Sequence, residues 1–421
     1  MQTDFVELPL TGLEEPLSEV ELAVQDNAHR FAAEVMRPLA ATLDRMTPEE
    51  VIAPESPLWQ VLQKAEGLGL SVLQMAELPP LERARLFAIA TEELAWGDGG
   101  LAGALLVNHF PVMYSLLAGN LEMARYCEGK LGCWAITEPD HGSDTLHPDV
   151  EIGAPGKPYG QPNCSARIVG DKVVVNGQKS AWVSGAMTAQ VCALFCHHVD
   201  EQGRTGPGVA VIVPLDLPGV TRGKPLDKIG FRAMNQGELY FDNVEVPLAH
   251  LLAGPETYHE LAYRMLCEAN PHVAVCAVGV ARAALEHAVA YAHERRQGGQ
   301  AIILHQHVRY RLFEMFRKVE AARALTRRVI TYNATAPRPA MIASTAAKVT
   351  ATQTAFEVAS EAMQLFGGNG VTRAYPLEKL LRDARAGMVA DGVNEMLAIR
   401  GAGSLIDPAR LRMPPTEARC R

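Results

Sequence analysis

The feature that most constrains this chain is a hydrophobic period that changes twice. From Leu17 to about Lys130 apolar residues recur at three- and four-residue steps, as in Phe31, Ala32, Val35 and then Leu58, Val61 and Leu62, the period of helices buried along one face. Near Trp134 short β-rich runs bounded by turn residues take over and continue to about Val246. Lys172 to Gly177 reads as a strand running into an Asn-Gly turn, Val191 to Cys196 and Val209 to Val213 read as strands, and Glu238 to Val246 alternates polar with apolar. After Leu251 the helical period returns. Val278, Leu285, Val289 and Ala292 form one stripe, and Leu312, Met315, Val319, Ala322 and Leu325 form another, the pattern of long helices that bury each other in a bundle. The expected order is a helical domain over 1–133, a small β domain over 134–249, a helical bundle over 250–408 and a frayed tail over 409–421.

The chain carries 39 Lys and Arg against 48 Asp and Glu, a net charge of −9, which argues against nucleic acid as a partner, since phosphate contacts need a basic face. Hydrophobic residues at 48% and charged residues at 21% suit a chain with a large core. The longest contiguous apolar stretch, Val273 to Ala281, is closed by Arg282, so no membrane span is expected. The first residues, Met-Gln-Thr-Asp-Phe-Val-Glu, lack the basic and apolar regions of a signal peptide, and a cytoplasmic address is expected. Eight scattered cysteines read as reduced thiols. Cys192 and Cys196 before His197 and His198 read as core packing within a strand, and no metal is expected.

Two segments carry chemistry. Trp134 to Asp144 gathers hydroxyls, small residues and backbone amides where helix gives way to strand, a turn able to wrap a polar heterocycle or a phosphate. Trp182 and Ser184 stand two residues apart on a strand, hence on one face, and an aromatic plane beside a hydroxyl is what a flavin ring accepts.

With these segments in view the sequence resembles the acyl-CoA dehydrogenase family over nearly its whole length. The resemblance rests on Ile136-Thr-Glu-Pro-Asp-His-Gly-Ser-Asp144, Gly177-Gln-Lys-Ser-Ala-Trp-Val-Ser184, Arg295-Arg-Gln-Gly-Gly-Gln-Ala-Ile-Ile-Leu-His-Gln306, and Gln364-Leu-Phe-Gly-Gly-Asn-Gly370 with Arg382-Asp-Ala-Arg385 and Asp391-Gly-Val-Asn-Glu395, in the family's order. It implies an α+β multidomain fold: an all-α N-terminal domain, a small β-barrel middle domain and a C-terminal four-helix bundle. It also implies FAD lying along a dimer interface in a homodimer or homotetramer. Ile136, Thr137, Trp182, Val183 and Ser184 resemble the contacts to the flavin ring, and Gly142 and Ser143 the stretch near the pyrophosphate and the substrate's thioester arm. Arg295, Gln297, His305, Gln306, Gln364, Gly367 and Gly368 resemble contacts to the ADP half across the interface, with Val393 and Glu395 in the last cofactor loop. A forked guanidinium at Arg295 suits pyrophosphate.

The resemblance makes Asp391 the base that removes the α-proton of an acyl-CoA while the β-hydrogen leaves as hydride to flavin N5, giving a 2,3-enoyl-CoA. Electrons then pass to an electron-transfer flavoprotein. The thioester carbonyl must be polarised as the enolate forms, and the family does this with a backbone N–H, here that of Asp391, beside Gly392. Most members carry glutamate at this position. Ser143, Asn270 and Gly392 resemble substrate contacts. Other departures are Val393 where threonine is common, Gly298 where phenylalanine is usual, and Asn270 and Gly403 where arginines serve the CoA end. Members that place the base on an earlier helix would have it at Ala269, next to Glu268, whose side chain is turned by about 100° and is expected at the rim. The excess length between Leu146 and Asn163 reads as a Pro- and Gly-containing loop. A shorter base suits a ring or branched acid. A nitroalkane-type oxidase also uses aspartate here, although its arginine seven residues on is Ala398 in this chain, and a weakly catalytic flavin subunit of a hetero-oligomer is a further alternative.

Overall fold

The computed structural model describes residues 16–146 and 160–406. The expected tail, the chain's start and most of the 146–163 loop lie outside the described residues. The N-terminal helices are α1 (Glu19–Phe31), α2 (Arg37–Leu43), α3 (Pro48–Ile52), α4 (Pro57–Ala65), α5 (Val72–Ala76), α6 (Pro80–Gly97), α7 (Gly99–Leu117) and α8 (Leu121–Cys127). The strands are β1 (Gly132–Ala135), β2 (Cys164–Val169), β3 (Lys172–Ser184), β4 (Val191–Val199), β5 (Thr205–Pro214), β6 (Val220–Arg222), β7 (Gln236–Pro247) and β8 (Leu251–Ala253). A short hairpin, β9 (Arg296–Gln297) and β10 (Gln300–Ala301), interrupts the C-terminal helices α9 (Tyr258–Glu294), α10 (Gln306–Thr335), α11 (Met341–Phe366), α12 (Leu377–Gly387) and α13 (Asn394–Ile406).

Sequence chemistry accounts for the boundaries. Ser18 and Thr47 open α1 and α3 with reciprocal capping boxes to Glu21 and Glu50, and Asp98 caps α7 by accepting from the Leu101 N–H at 2.8 Å. The middle domain is an eight-stranded sheet ordered β6-β7-β3-β2-β4-β5-β8, with β1 parallel to the first half of β4. Cys133, Cys164, Cys192 and Cys196 are buried in its core as free thiols. The Asn176–Gly177 turn expected from sequence does not form. β3 runs through it as a bulge, with a register shift against β7 between Val175 and Gly177 and φ of +113° at Gly177. Any Cβ there would lie 2.0 Å from the Asn163 carbonyl oxygen, so the glycine serves a close approach of strands.

Two helices, α7 and α9, are long and apolar enough to cross a membrane by length and composition. Reading contiguous apolar residues overlooked α7, whose 19 residues contain no Asp, Glu, Lys or Arg but are interrupted by Asn108, His109 and Ser115. Half of its apolar window, and 72% of that of α9, is buried inside the protein.

α9 is the central column, packed chiefly on α11 and also on α6 and α10. A buried ionic cluster locks three of these helices. Glu92 of α6 accepts from Arg282 of α9 at 2.9 Å and from Arg323 and Arg327 of α10 at 3.0 and 2.8 Å. Burial opposes the Glu92 charge, but the three guanidiniums prevail and hold its carboxyl down at about 2. A second cluster joins the domains: Lys379 bridges Asp98 and Asp383, and Asp383 accepts the Phe231 N–H at 2.7 Å. Removing one member of a buried cluster strands the others, so Glu92→Ala is expected to cost roughly 3–5 kcal/mol, read as a lowered unfolding midpoint of the purified protein. An unchanged midpoint would contradict this role.

Candidate active site

A cavity of about 740 Å³ opens between the sheet and the helical domains. One wall is the loop after β1 with the end of β3: Ile136, Thr137, Gly142, Ser143, Trp182, Val183 and Ser184 all line it. Their placement has a traceable cause. Lys179, fully buried on β3, donates to the Ile136 carbonyl at 2.9 Å and to Glu138 at 2.6 Å, and the Ser180 N–H donates to the Thr137 carbonyl at 2.9 Å. Val183 points into the core at 1% exposure while its neighbours Trp182 and Ser184 face the cavity, as strand alternation requires. Gln236 donates to Ser184 Oγ at 2.8 Å. Trp182 remains 57% exposed, and Ile229 nearby 65%, so two large apolar side chains stand at the rim of the cavity with nothing covering them among the described residues. Lys228 underlies this rim. It donates to the Phe231 and Met234 carbonyls and to Gln236, and burial pushes its ammonium down to about 7.

The opposite wall carries Asp391 and Gly392, on the turn between α12 and α13. Asp391 adopts φ of +51°, an unusual conformation for a non-glycine residue, and Gly392 follows at +103°. A φ of +103° strains any side chain at 392, and a Cβ there would also displace Leu146 Cδ1, 2.5 Å away. Four groups hold the turn. Lys348 of α11, fully buried, donates to the Met388 carbonyl at 3.3 Å, the Gly392 carbonyl at 2.7 Å and Asn394 Oδ1 at 2.9 Å. Asn270 Nδ2 donates to the Asp391 carbonyl at 3.1 Å, the Val393 N–H donates to Ser143 Oγ at 3.0 Å, and Thr352 and Asn394 exchange hydrogen bonds.

The Asp391 carboxylate makes no ion pair among the described residues, since Lys348 directs its ammonium to two backbone carbonyls and Asn394 Oδ1. Burial pushes the Asp391 carboxyl up to about 6, partly offset by the Lys348 charge. The Asp391 N–H donates to no protein group among the described residues and is available to a ligand. Glu268 does not line the cavity. Its side chain is one-third exposed, beside His272 at 3.8 Å, and burial of its carboxyl raises it.

Three expected contacts fall elsewhere. Asn270 is fully buried, does not line the cavity and holds the Asp391 turn through that residue's carbonyl. Val393 is used through its backbone N–H, and Glu395 is an exposed residue in the first turn of α13; neither lines the cavity. Arg295, Gln297, His305, Gln306, Gln364, Gly367 and Gly368 form a second patch outside the cavity. The ends of α9 and α11 meet there through Tyr291, stacked on Phe366 at 3.8 Å and receiving a hydrogen bond from Asn369 at 2.9 Å. Arg295, Gln297, Gln306, Gln364, Gly367 and Gly368 are exposed. Gly298 has a local reason: it takes φ of +62° in the β9–β10 turn, against His305. Gly367, at φ of +60°, also ends α11. Lys348 is the functional residue that sequence reading missed. A lone lysine among Ala347, Ala351 and Ala355 on a buried helix face was the available signal.

Residues 133–244 match the family description "Acyl-CoA dehydrogenase, middle domain" and residues 260–405 match "Acyl-CoA dehydrogenase, C-terminal domain". The rat mitochondrial short-chain specific acyl-CoA dehydrogenase is 30% identical over 402 residues, covering 93% of this chain and 91% of its own. The fold is that of butyryl-CoA dehydrogenase from Megasphaera elsdenii, at a TM-score of 0.80 and 24% identity over 94% of this chain and all of the other. A chain solved in a study of the electron transferring flavoprotein of Acidaminococcus fermentans superposes at a TM-score of 0.75 and 26% identity, over 94% of this chain and all of the other. With the site's geometry, these matches show that the chain belongs to the acyl-CoA dehydrogenase family.

Proposed function

We propose that this chain uses FAD to convert an acyl-CoA to its 2,3-enoyl-CoA, with Asp391 removing the α-proton, and that it delivers the electrons to an electron-transfer flavoprotein. The observation that carries this reading is Asp391 itself: a carboxylate on the cavity wall, without an ion pair among the described residues and raised to about 6 by burial. Such a group is largely ionised at neutral pH yet a stronger base than an exposed aspartate.

The residues fit the cofactor. The exposed Trp182 indole and the Ser184 hydroxyl face one cavity, and Thr137, in the loop after β1, stands on the same wall. These groups with Ile136, Gly142 and Val183 would hold the flavin end, and the exposed patch around Arg295 would hold the ADP end of a cofactor bound by a partner subunit in a homodimer or homotetramer. When bound, FAD supplies the two-electron acceptor for the hydrogen that leaves the β-carbon.

The chain's own work lies on the α side. The free Asp391 N–H would polarise the thioester carbonyl, so that charge developing on its oxygen meets a fixed donor. The pinned turn holds the carboxylate at one position before substrate arrives, which lowers the entropy lost on reaching the reactive geometry. Apolar residues of α7 and α9, among them Phe110, Val273 and Cys276, exclude water around the acyl group. An aspartate is shorter than a glutamate, which suits an α-carbon placed closer to the turn, as in a ring or branched acid. The named relatives are dehydrogenases, and the oxidase alternative finds no support among them.

Asp391→Asn is expected to keep FAD and acyl-CoA binding while slowing anaerobic flavin bleaching by at least about a thousandfold, roughly 4 kcal/mol. Bleaching at the wild-type rate would remove Asp391 as the base. Arg295→Ala is expected to lower the flavin content retained through gel filtration and to loosen the oligomer. Full retention of FAD with an intact oligomer would place the ADP half elsewhere.

A further inference from the structure

Ser184 is half-buried where the end of β3 meets the cavity, and its Oγ accepts from Gln236 Nε2 at 2.8 Å. The two residues stand opposite each other in the β3–β7 pair. Gln236 is in turn held from behind. Its Oε1 accepts from Lys228 Nζ at 2.9 Å, and the same ammonium donates to the Phe231 carbonyl at 3.0 Å and to the Met234 carbonyl. Lys228, Gln236 and Ser184 all line the cavity.

An ammonium has three hydrogens and no acceptor. Three oxygens take those hydrogens here, so the Gln236 amide must turn its oxygen to Lys228 and its NH2 away. That NH2 donates to Ser184 Oγ and, at 3.4 Å, to the Trp182 carbonyl. The consequence falls on Ser184. Its oxygen serves as an acceptor inside the protein, while its single hydrogen meets no acceptor among the described residues and is left for a group in the cavity. With the amide reversed, the Gln236 oxygen would take that hydrogen and the cavity would face only lone pairs. Burial pushes Lys228 down to about 7, with Asp383 opposing the fall and Arg232, itself paired with Asp227, adding to it, so at pH 6 the three-hydrogen form prevails.

Resting on the reading of this cavity as the FAD site, we propose that Lys228 and Gln236 are positioning residues that fix Ser184 as a hydrogen-bond donor toward the flavin ring. The oxidised ring presents mainly acceptor nitrogens and carbonyl oxygens along its edge. A donor already turned to one of them needs no reorientation as charge develops there.

The test uses protein loaded with FAD carrying 15N and 13C in its ring, with NMR spectra taken at pH 6. Ser184→Ala marks the ring resonance that the hydroxyl touches. Gln236→Glu is nearly isosteric and keeps an oxygen on Lys228, but it offers Ser184 only acceptors and so draws the hydroxyl hydrogen out of the cavity. In Gln236→Glu the marked resonance is expected to move to where Ser184→Ala puts it. Combining the two substitutions should move it no further, which separates the direction of the hydroxyl from the effect of the added charge. In the same variant kcat/KM for anaerobic bleaching should fall at least about tenfold with KM nearly unchanged. Lys228→Met, which frees the amide to turn, should move the resonance part of the way. An unmoved resonance there, or in wild type titrated from pH 6 to pH 9 should Lys228→Met not fold, contradicts the role of Lys228. A ring spectrum that Ser184→Ala leaves unchanged, a wild-type spectrum in Gln236→Glu, or an equal displacement by Gln236→Glu with and without Ser184 overturns the inference while the dehydrogenase reading stands. Because Gln236→Glu leaves Lys228 its third acceptor, failure of that variant to fold also counts against the inference. Wild-type protein that retains no FAD removes the reading itself, and the inference falls with it.

Discussion

The site depends on keeping one half-buried carboxylate on the cavity wall unpaired. A buried aspartate is ordinarily neutralised by an ion pair or loses its charge altogether, and either would unfit it for the role of base proposed for Asp391. Here the nearest cation, Lys348, binds the Met388 and Gly392 carbonyls and Asn394 rather than the carboxylate. Its charge still moderates Asp391, which settles at about 6 instead of higher. The same three bonds hold Asp391 at φ of +51°, a conformation that only a surrounding structure can maintain. Lys348 itself is pushed down to about 8 by burial, a cost offset by its three acceptors.

From this turn the contacts spread through the whole fold. Ser143 takes the Val393 N–H and so ties the loop after β1 to the Asp391 turn, and that loop is anchored on β3 by the buried Lys179–Glu138 pair. The Asp98–Lys379–Asp383–Phe231 cluster fixes α7, α12 and the loop before β7 around the cavity. Movement of the sheet against the helices would therefore break several buried charge-assisted bonds at once.

The domain order was legible because the helical and strand periods differ and both are written over long segments, as in the α9 stripe of Val278 and Leu285 and the alternation of β7. That Trp182 and Ser184 face one cavity was legible too, since it needs only strand alternation. What depends on tertiary approach was not. Asn176–Gly177 carries the signal of a turn, but the approach of Asn163 makes it a bulge. Asn270 occupies a position that pattern assigns to the CoA end, yet burial turns it to the Asp391 carbonyl. No local signal announces that His272, Trp134 and Tyr114, distant in sequence, meet around Phe110 with polar atoms unsatisfied.

The most direct measurement of the central claim is the pH dependence of kcat/KM for anaerobic flavin reduction by an acyl-CoA. A carboxyl raised by burial is ionised and competent above its pKa and protonated and inert below it. The acid limb is therefore expected near 6, where the Asp391 carboxyl titrates, with activity falling about tenfold per pH unit below it. A limb near 4, the range of an exposed carboxylate, would contradict the burial of an unpaired Asp391 as the source of the base.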